Sequence, residues 1–491
     1  MFLGIDVGTG STKAVLADAD GRVLAAASRT HAITTPRPDW AEFDASLAWD
    51  EIAGVCAELF AEHPAAMLQG VAVSAMGPCL VVTDGADIPL RPTILYGVDA
   101  RSGAEIAELT ETFGADDIFR TSGKRLSAQA LGPKLRWIAH HEPRVFARAA
   151  RWHTLTSVIV AWLTGEHVVD HHSASQCDPL YDLKLSGWHG ERLAHVAEHL
   201  DSPRLAWSAD VVGTVTPGAA RATGIPAGTP VSAGTIDAWA EALSAGVRRP
   251  GDLMLMYGST MFFVEQLGSY RSHEKLWTTA GVEPGTLTLA AGMSTSGSLT
   301  SWVQRLVGEP DIRRLVEEAA RIPVGSDGLV LLPYFAGERT PIFDPDARGL
   351  AIGLTLGHGP AHLFRATYEA IGYGIRQILP LLADAGEPIS RIFAVGGGTQ
   401  AALWLQIVSD ITGREQHVPR QTIGASYGDA LLAAIGTGAV PPDTDWSRDH
   451  VVVSPAPEHT ARYDELFAVY ERLYPANVDT MHALARIQGS P

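Results

Sequence analysis

Residues 6–13 read Asp6-Val7-Gly8-Thr9-Gly10-Ser11-Thr12-Lys13, and this segment decides how the chain is read. Residues 2–6 before it and 11–16 after it are short apolar runs, so it is the turn of a strand-turn-strand unit. The turn signal Asp18-Ala19-Asp20-Gly21 and a third run, residues 22–27, extend that unit by one strand. A carboxylate thus stands at a strand end, followed by two glycines, three hydroxyls and a lysine. Glycines let backbone N–H groups approach phosphate oxygens, hydroxyls add donors, and the ammonium adds positive charge. Asp6 can hold Mg²⁺, directly or through water, between itself and the phosphates. The spacing of a Walker loop is missing, as are the third glycine and following helix of a dinucleotide fingerprint. An ordinary hairpin turn uses the same residues, so the segment alone leaves both readings open.

Working outward, a comparable unit recurs about half a chain later. Residues 253–257 form an apolar run, Gly258-Ser259-Thr260 a polar turn, and residues 261–265 a returning run. Two such units predict two related halves facing one another. Residues 246–252 read as the boundary, giving domains 1–245 and 246–491. Strand-like runs at 71–74, 80–83 and 231–233 alternate with helical ones, so the class is α/β. No short-period repeat points to a solenoid or propeller. Residues 392–395 run as a strand into Gly396-Gly397-Gly398, and a helix carrying Leu403, Ile407 and Ile411 follows. Such a junction admits a flat or anionic ligand, although a tight turn explains it equally well. Leu363, Thr367, Ile371, Ile375 and Ile378 share a helical face, with Pro380 expected to end or kink that helix. Taken together, the pattern predicts two phosphate-holding turns and a glycine-rich junction for a nucleoside.

The chain has 491 residues, 46% apolar and 19% charged, a globular composition with length for two or more domains. Lys plus Arg number 37 against 55 Asp plus Glu, a net charge of −18. That balance argues against broad binding to nucleic acid or to an anionic membrane. No apolar run approaches the ~18 residues of a membrane span, and no signal-peptide pattern opens the chain. Cys56, Cys79 and Cys177 are widely spaced, which excludes a disulfide framework or thiol zinc site and suits a reducing compartment. The expectation is a cytoplasmic protein.

One more carboxylate invites chemistry. In Ser232-Ala233-Gly234-Thr235-Ile236-Asp237-Ala238-Trp239 a short strand ends and a lone Asp stands where a helix begins. Helix capping accounts for it. So does a general base, placed to take a proton from a hydroxyl attacking a γ-phosphate; phosphoryl transfer needs such an orienting carboxylate and little other reacting machinery. The adjacent pairs His140-His141 and His171-His172 cannot share a helix face, which argues against a catalytic metal there. Cys79 reads as a small core residue, since no base is assignable to it.

The ordered set of motifs resembles the FGGY carbohydrate kinases over nearly the whole chain. After residues 6–13 come Asp39-Trp40-Ala41-Glu42-Phe43-Asp44, Pro133-Lys134-Leu135-Arg136-Trp137-Ile138 and Leu163-Thr164-Gly165-Glu166. The second half adds Tyr334-Phe335-Ala336-Gly337-Glu338-Arg339-Thr340-Pro341, then Gly349 through Gly353-Leu354 to His362-Leu363-Phe364-Arg365-Ala366-Thr367-Tyr368-Glu369. The resemblance implies two actin-like (ribonuclease H-like) ATPase domains around a central cleft that closes over ATP, Mg²⁺ and a small sugar. It implies Asp237 as catalytic base and Asp6 as the carboxylate at magnesium. Gly8, Thr9, Gly10, Ser11, Thr12, Lys13, Gly258, Ser259 and Thr260 fall in the phosphate turns; Gly297, Gly397 and Gly398 fall at adenosine. Within the family the xylulokinases look most similar, through Gly-Glu-Arg-Thr-Pro and Ile352-Gly353-Leu354-Thr355-Leu356. A homodimer is also in keeping with the family.

The departures lie in the sugar loops. Where xylulokinases carry Gln-Met-His-Gly, this chain reads Ala75-Met76-Gly77-Pro78, so the ring that would face a sugar hydroxyl is missing. The family's Trp-x-Asp-x-Arg becomes Tyr96-Gly97-Val98-Asp99-Ala100-Arg101, and Ala238 replaces the Asn that follows the base. Met76, Gly77, Asp99, Arg101 and Asp237 are the expected sugar-binding residues. Polar contacts of this kind discriminate by ~10⁴-fold, so changing them can change the substrate. D-xylulose is the leading expectation; ribulose, L-xylulose or erythritol is the alternative. An actin-fold ATPase without a sugar acceptor is the remote one.

Overall fold

Residues 2–30 fold as the meander their pattern predicts, in a computed structural model that describes residues 1–421 and 423–489. The expected second domain, 246–491, thus includes residues 422, 490 and 491, which lie outside the described ones. Strands β1 (Phe2–Val7), β2 (Ser11–Ala17) and β3 (Val23–Thr30) pair antiparallel, with Asp6 opposite Lys13 and Val7 opposite Thr12. Every β1 residue is buried, which explains why all but Asp6 are apolar or glycine. Helix α1 (Ala45–Glu62) packs on β2 and β3. Its N-cap Asp44 accepts a hydrogen bond from Ser46 N at 2.9 Å, and Ala48, Ile52, Val55 and Leu59 form its buried stripe. Strand β4 (Gly70–Ala75) runs parallel to β1 and sets Ser74 beside Asp6. With β5 (Val211–Thr214), β6 (Pro230–Ser232) and β7 (Thr235–Ile236) they build a seven-stranded sheet ordered β5-β6-β4-β1-β2-β3, β7 pairing with the end of β4. Helix α2 (Asp237–Ala245) leaves β7 without a loop.

The second sheet repeats the device. Strands β8 (Asp252–Tyr257) and β9 (Met261–Leu267) pair antiparallel around the 258–260 turn. Next come β10 (Leu287–Met293), α3 (Gly297–Val307), α4 (Pro360–Ala385), β11 (Arg391–Val395) and α5 (Ala402–Thr412). Strand β12 (Gln416–Pro419), helix α6 (Ala425–Gly436) and strand β13 (His450–Val453) follow. The sheet contains the run β10-β9-β8-β11-β12-β13, with β11 parallel to β8 and Val395 opposite Met256. Pro380 does not end its helix: α4 continues to Ala385. A proline interior to a helix costs one backbone bond, and burial of Phe364, Ile371, Ile375, Ile378 and Leu382 offsets it.

Contacts along the chain group it into two units. The first is Met1–Gly246 with Thr278–Thr288 and Ile423–Trp446; the second is Val247–Trp277, Leu289–Thr422 and Ser447–Pro491. Helix α6 therefore belongs to the first sheet. Gly4 and Gly428 show why. A side chain at Gly4 would strike the Ser426 carbonyl and Ala430 N of α6, and one at Gly428 would strike the Ala240 carbonyl of α2. Backbone thus lies against backbone at both places, and Leu431, Leu432 and Ala433 join Phe2, Val15 and Ala72 in one core. Among the described residues no helix is long and apolar enough to cross a membrane.

Candidate active site

In the first unit the 8–11 turn closes with Gly8 N donating to the Ser11 carbonyl at 3.0 Å. Among the described residues the N–H groups of Thr9 and Gly10 have no acceptor. A Cβ at Gly10 would meet nothing within 4 Å, so open space lies over that backbone. Asp6 stands next to last in the strand beneath, 7% exposed, and among the described residues its buried Oδ1 has no hydrogen-bond partner. Burial pushes its carboxyl up to about 6, against the pull of Lys13 and then His31. An unpartnered buried carboxylate oxygen beside free amides suits a cation bridging to phosphate, so these residues fit ATP and Mg²⁺.

Asp237 is the first residue of α2, held there because β7 pairs with the end of β4. Part of its surface stays open to solvent. Its Oδ1 accepts from Ala238 N at 2.7 Å. Burial raises its carboxyl well above the ordinary range, and the charges of Asp6 and Glu241 add to that. Glu241, one turn along, is pushed up to about 7 by burial and then by Asp6. Asp429 of α6 is fully buried, takes a 2.6 Å bond from Ser74 Oγ, and is likewise raised well above the ordinary range by burial. The structure thus gathers four carboxyls where sequence reading found two. Glu241 lay one helical turn from Asp237, a spacing that could have exposed it. Asp429 is more than 350 residues from Ser74, and its only signal was a lone acid within the apolar, small-residue helix 425–436.

The expected sugar residues divide. Met76 is buried and Gly77 adjoins the active helix: a Cβ there would lie 2.8 Å from Ile236 Cγ1. Asp99 and Arg101 are spent on each other and on the loop. Arg101 Nη2 donates to Asp99 Oδ2 at 2.7 Å, Arg101 Nη1 to Glu42 Oε1 at 2.9 Å, and the guanidinium lies 3.9 Å over the Trp40 ring. Asp99 Oδ2 also accepts from Ala41 N at 2.7 Å. Both side chains are 0% exposed, so a sugar contact through either requires this loop to move. Gln129, which sequence reading passed over, links the two departing loops: Oε1 accepts from Gly97 N at 3.1 Å and Nε2 donates to the Gly77 carbonyl at 3.4 Å. A side chain at position 97 would displace the Gln129 amide from this bond. Tyr96, next in chain, shares a 3.3 Å hydrogen bond with Thr9 Oγ1 and ties this loop to the phosphate turn.

Cys79 is fully buried, its thiol pushed up to about 12 by burial. His172 Nδ1 donates to the Ala280 carbonyl at 2.7 Å while its ring packs 3.9 Å from Trp239. Burial lowers that imidazole to about 3.

In the second unit the 258–260 turn is fastened by the start of α3. Gly297 N donates to the Gly258 carbonyl at 2.9 Å, and Ser296 N and Ser298 N donate to the Ser259 carbonyl at 2.9 and 3.1 Å. Gly297 is required by this packing, since a Cβ would lie 2.7 Å from that Gly258 carbonyl. The glycines after β11 rest on Tyr257: Gly396 has φ +88°, and a Cβ at Gly398 would meet Trp404 at 2.7 Å. Gly397 alone has nothing within 4 Å. It is the open position of the three.

Two mixed sheets, each led by an antiparallel hairpin with a glycine turn, are the architecture of the two-domain sugar kinases of the actin-like ATPase type. The chain belongs to the FGGY family of carbohydrate kinases: the model of the family's N-terminal domain matches residues 1–244 and that of its C-terminal domain residues 253–437. It is 26% identical to the xylulose kinase of Bacillus subtilis (strain 168) over 98% of each chain. To the gluconokinase of the same organism it is 27% identical, over 89% of this chain and 88% of that one. The solved xylulose kinase from Rhodospirillum rubrum has a TM-score of 0.88 at 32% identity, covering 98% of this chain and 99% of that one. Carbohydrate kinases of this family act on a sugar and ATP.

Proposed function

We propose that the chain transfers the γ-phosphoryl group of ATP to a terminal hydroxyl of a small ketose, with D-xylulose as acceptor and D-xylulose 5-phosphate as product. The observation that carries this reading is Asp237, partly open at a helix start beside Asp6 and adjoining the Gly77 loop. Asp237 orients the acceptor hydroxyl and takes its proton. A carboxyl raised above its ordinary range is a stronger base, and such a group contributes roughly 10²–10⁴-fold. The Thr9 and Gly10 amides and Lys13 receive the phosphate oxygens, while Met76 and Gly77, with Gln129 behind them, shape the sugar pocket. In the second unit Gly258, Ser259 and Thr260 serve the phosphates, and Gly397 lets adenosine lie on the backbone. Mg²⁺ held at Asp6 supplies charge neutralisation when bound. The cytoplasm as location and a homodimer as assembly belong to the same proposal.

The whole-length relatives named xylulose kinase support D-xylulose, and relatives named gluconokinase give D-gluconate as a second reading. Against an aldonate, Arg101 and Lys134 have fully buried side chains already engaged, Arg101 with carboxylates and Lys134 with the Ala128 and Ala130 carbonyls. ADP release is to be measured with ATP and Mg²⁺ over D-xylulose, L-xylulose, D-ribulose, erythritol and D-gluconate. A preference for D-xylulose upholds the reading; turnover confined to another acceptor replaces the substrate while keeping the kinase.

A further inference from the structure

His31 lies just past β3, outside every motif considered so far, yet three of its hydrogen bonds converge on the phosphate turn and its support. Its ring Nε2 is 2.9 Å from the Gly8 carbonyl, and its backbone N–H donates to the Gly10 carbonyl at 3.1 Å. Ring Nδ1 is 2.8 Å from Glu51 Oε2 on α1, the same oxygen that accepts from Thr12 Oγ1 at 2.6 Å. Phe43 packs on the ring at 4.8 Å, and 2% of the side chain is exposed. A carbonyl only accepts, so Nε2 carries a hydrogen; the carboxylate oxygen also accepts, so Nδ1 carries one too. His31 is therefore a double donor bridging α1 to the tip of the turn.

We infer that His31 is a positioning residue for nucleotide binding: braced by Glu51, it holds the Gly8 carbonyl inward and so aims the Thr9 amide at the phosphates. The reason is the planarity of the peptide. In a trans peptide C=O and N–H point opposite ways, so pinning the Gly8 carbonyl to the imidazole fixes the Thr9 N–H outward. Gly8 and Gly10 are glycines and on their own would let both peptides flip. Residue 31 restores the order that the glycines give up. Preorganised amides bind anions without a reorganisation cost, which is where the brace acts.

This inference rests on reading the 8–11 turn as a phosphate site, and the test separates the two. Isothermal titration with the Mg²⁺ complex of β,γ-imido-ATP is to be run on the full-length protein and on His31→Gln, His31→Phe and Gly10→Ala, with thermal melts alongside. Gln keeps one donor and Phe keeps the ring packing with none. The expected result is a graded loss, a few-fold for His31→Gln and on the order of tenfold for His31→Phe, with the acceptor's KM unchanged. Gly10→Ala enters open space and weakens binding without lowering the melting temperature. Normal affinity in both His31 variants with weakened Gly10→Ala overturns the positioning role and leaves the phosphate site. Normal affinity in all three overturns both. If His31→Phe does not fold, His31→Gln alone decides.

Discussion

Asp237 and Asp6 owe their chemistry to where they stand. Asp237→Asn preserves the shape and the acceptor for Ala238 N but removes the proposed base, so kcat should fall by ~10²–10⁴ while affinity for the nucleotide stays near wild type. Single-turnover rates and calorimetric affinities together check this. Asp6 and Glu241 titrate near 6 and 7 because burial disfavours their charged forms. Each is raised above its unfolded value, so the stability gained from holding these protons is complete below the ordinary carboxylate range and is lost as pH rises through 6 to 7. Without Mg²⁺, the melting temperature of Asp6→Asn should decline less between pH 5 and 7.5 than that of the wild type. An equal decline would remove Asp6 as a source. At this scale the sequence displayed Asp6 and Asp237 through their turns and strand ends. It did not display Asp429 as their neighbour, because the Ser74 that it bonds stands 355 residues away and such proximity leaves no local pattern.

At the scale of elements, glycines sort by what lies over them. Gly4 faces the backbone of α6, and a methyl group there must push helix from sheet; Gly4→Ala should cost about 3 kcal/mol or more, readable by urea unfolding. Gly397 faces open space, so Gly397→Ala should melt like wild type yet weaken nucleotide binding, whereas Gly398→Ala, which meets Trp404, should lose stability first. The strands and both glycine turns were legible from alternation and turn chemistry, and α4 and α5 from their periodicity. Which glycine serves packing and which serves a ligand was not legible, since the answer lies in the atoms facing each from distant elements. Pro380 makes the same point: local propensity predicted an end or a kink, and burial along α4 overrode the end.

For the whole molecule, the first unit needs a helix made some 180 residues after its own first stretch ends. A fragment 1–246 lacks α6 and bares Phe2, Val15 and Ala72, so it should be insoluble or fail to melt cooperatively. Co-expression with a segment spanning 423–446 should recover folded material; independent, cooperative folding of 1–246 alone would refute this account of the core. By itself the sequence determined the α/β class, the two glycine-turn hairpins, the family and the two central aspartates, because each is written in residues close together along the chain. Only the tertiary structure decided that α6 belongs with the first sheet, that Asp99 and Arg101 are bound to one another, that Gln129 links Gly77 to Gly97 and that His31 hydrogen-bonds the 8–11 turn. Those are facts of packing between distant segments, where burial and hydrogen-bond satisfaction choose the partners.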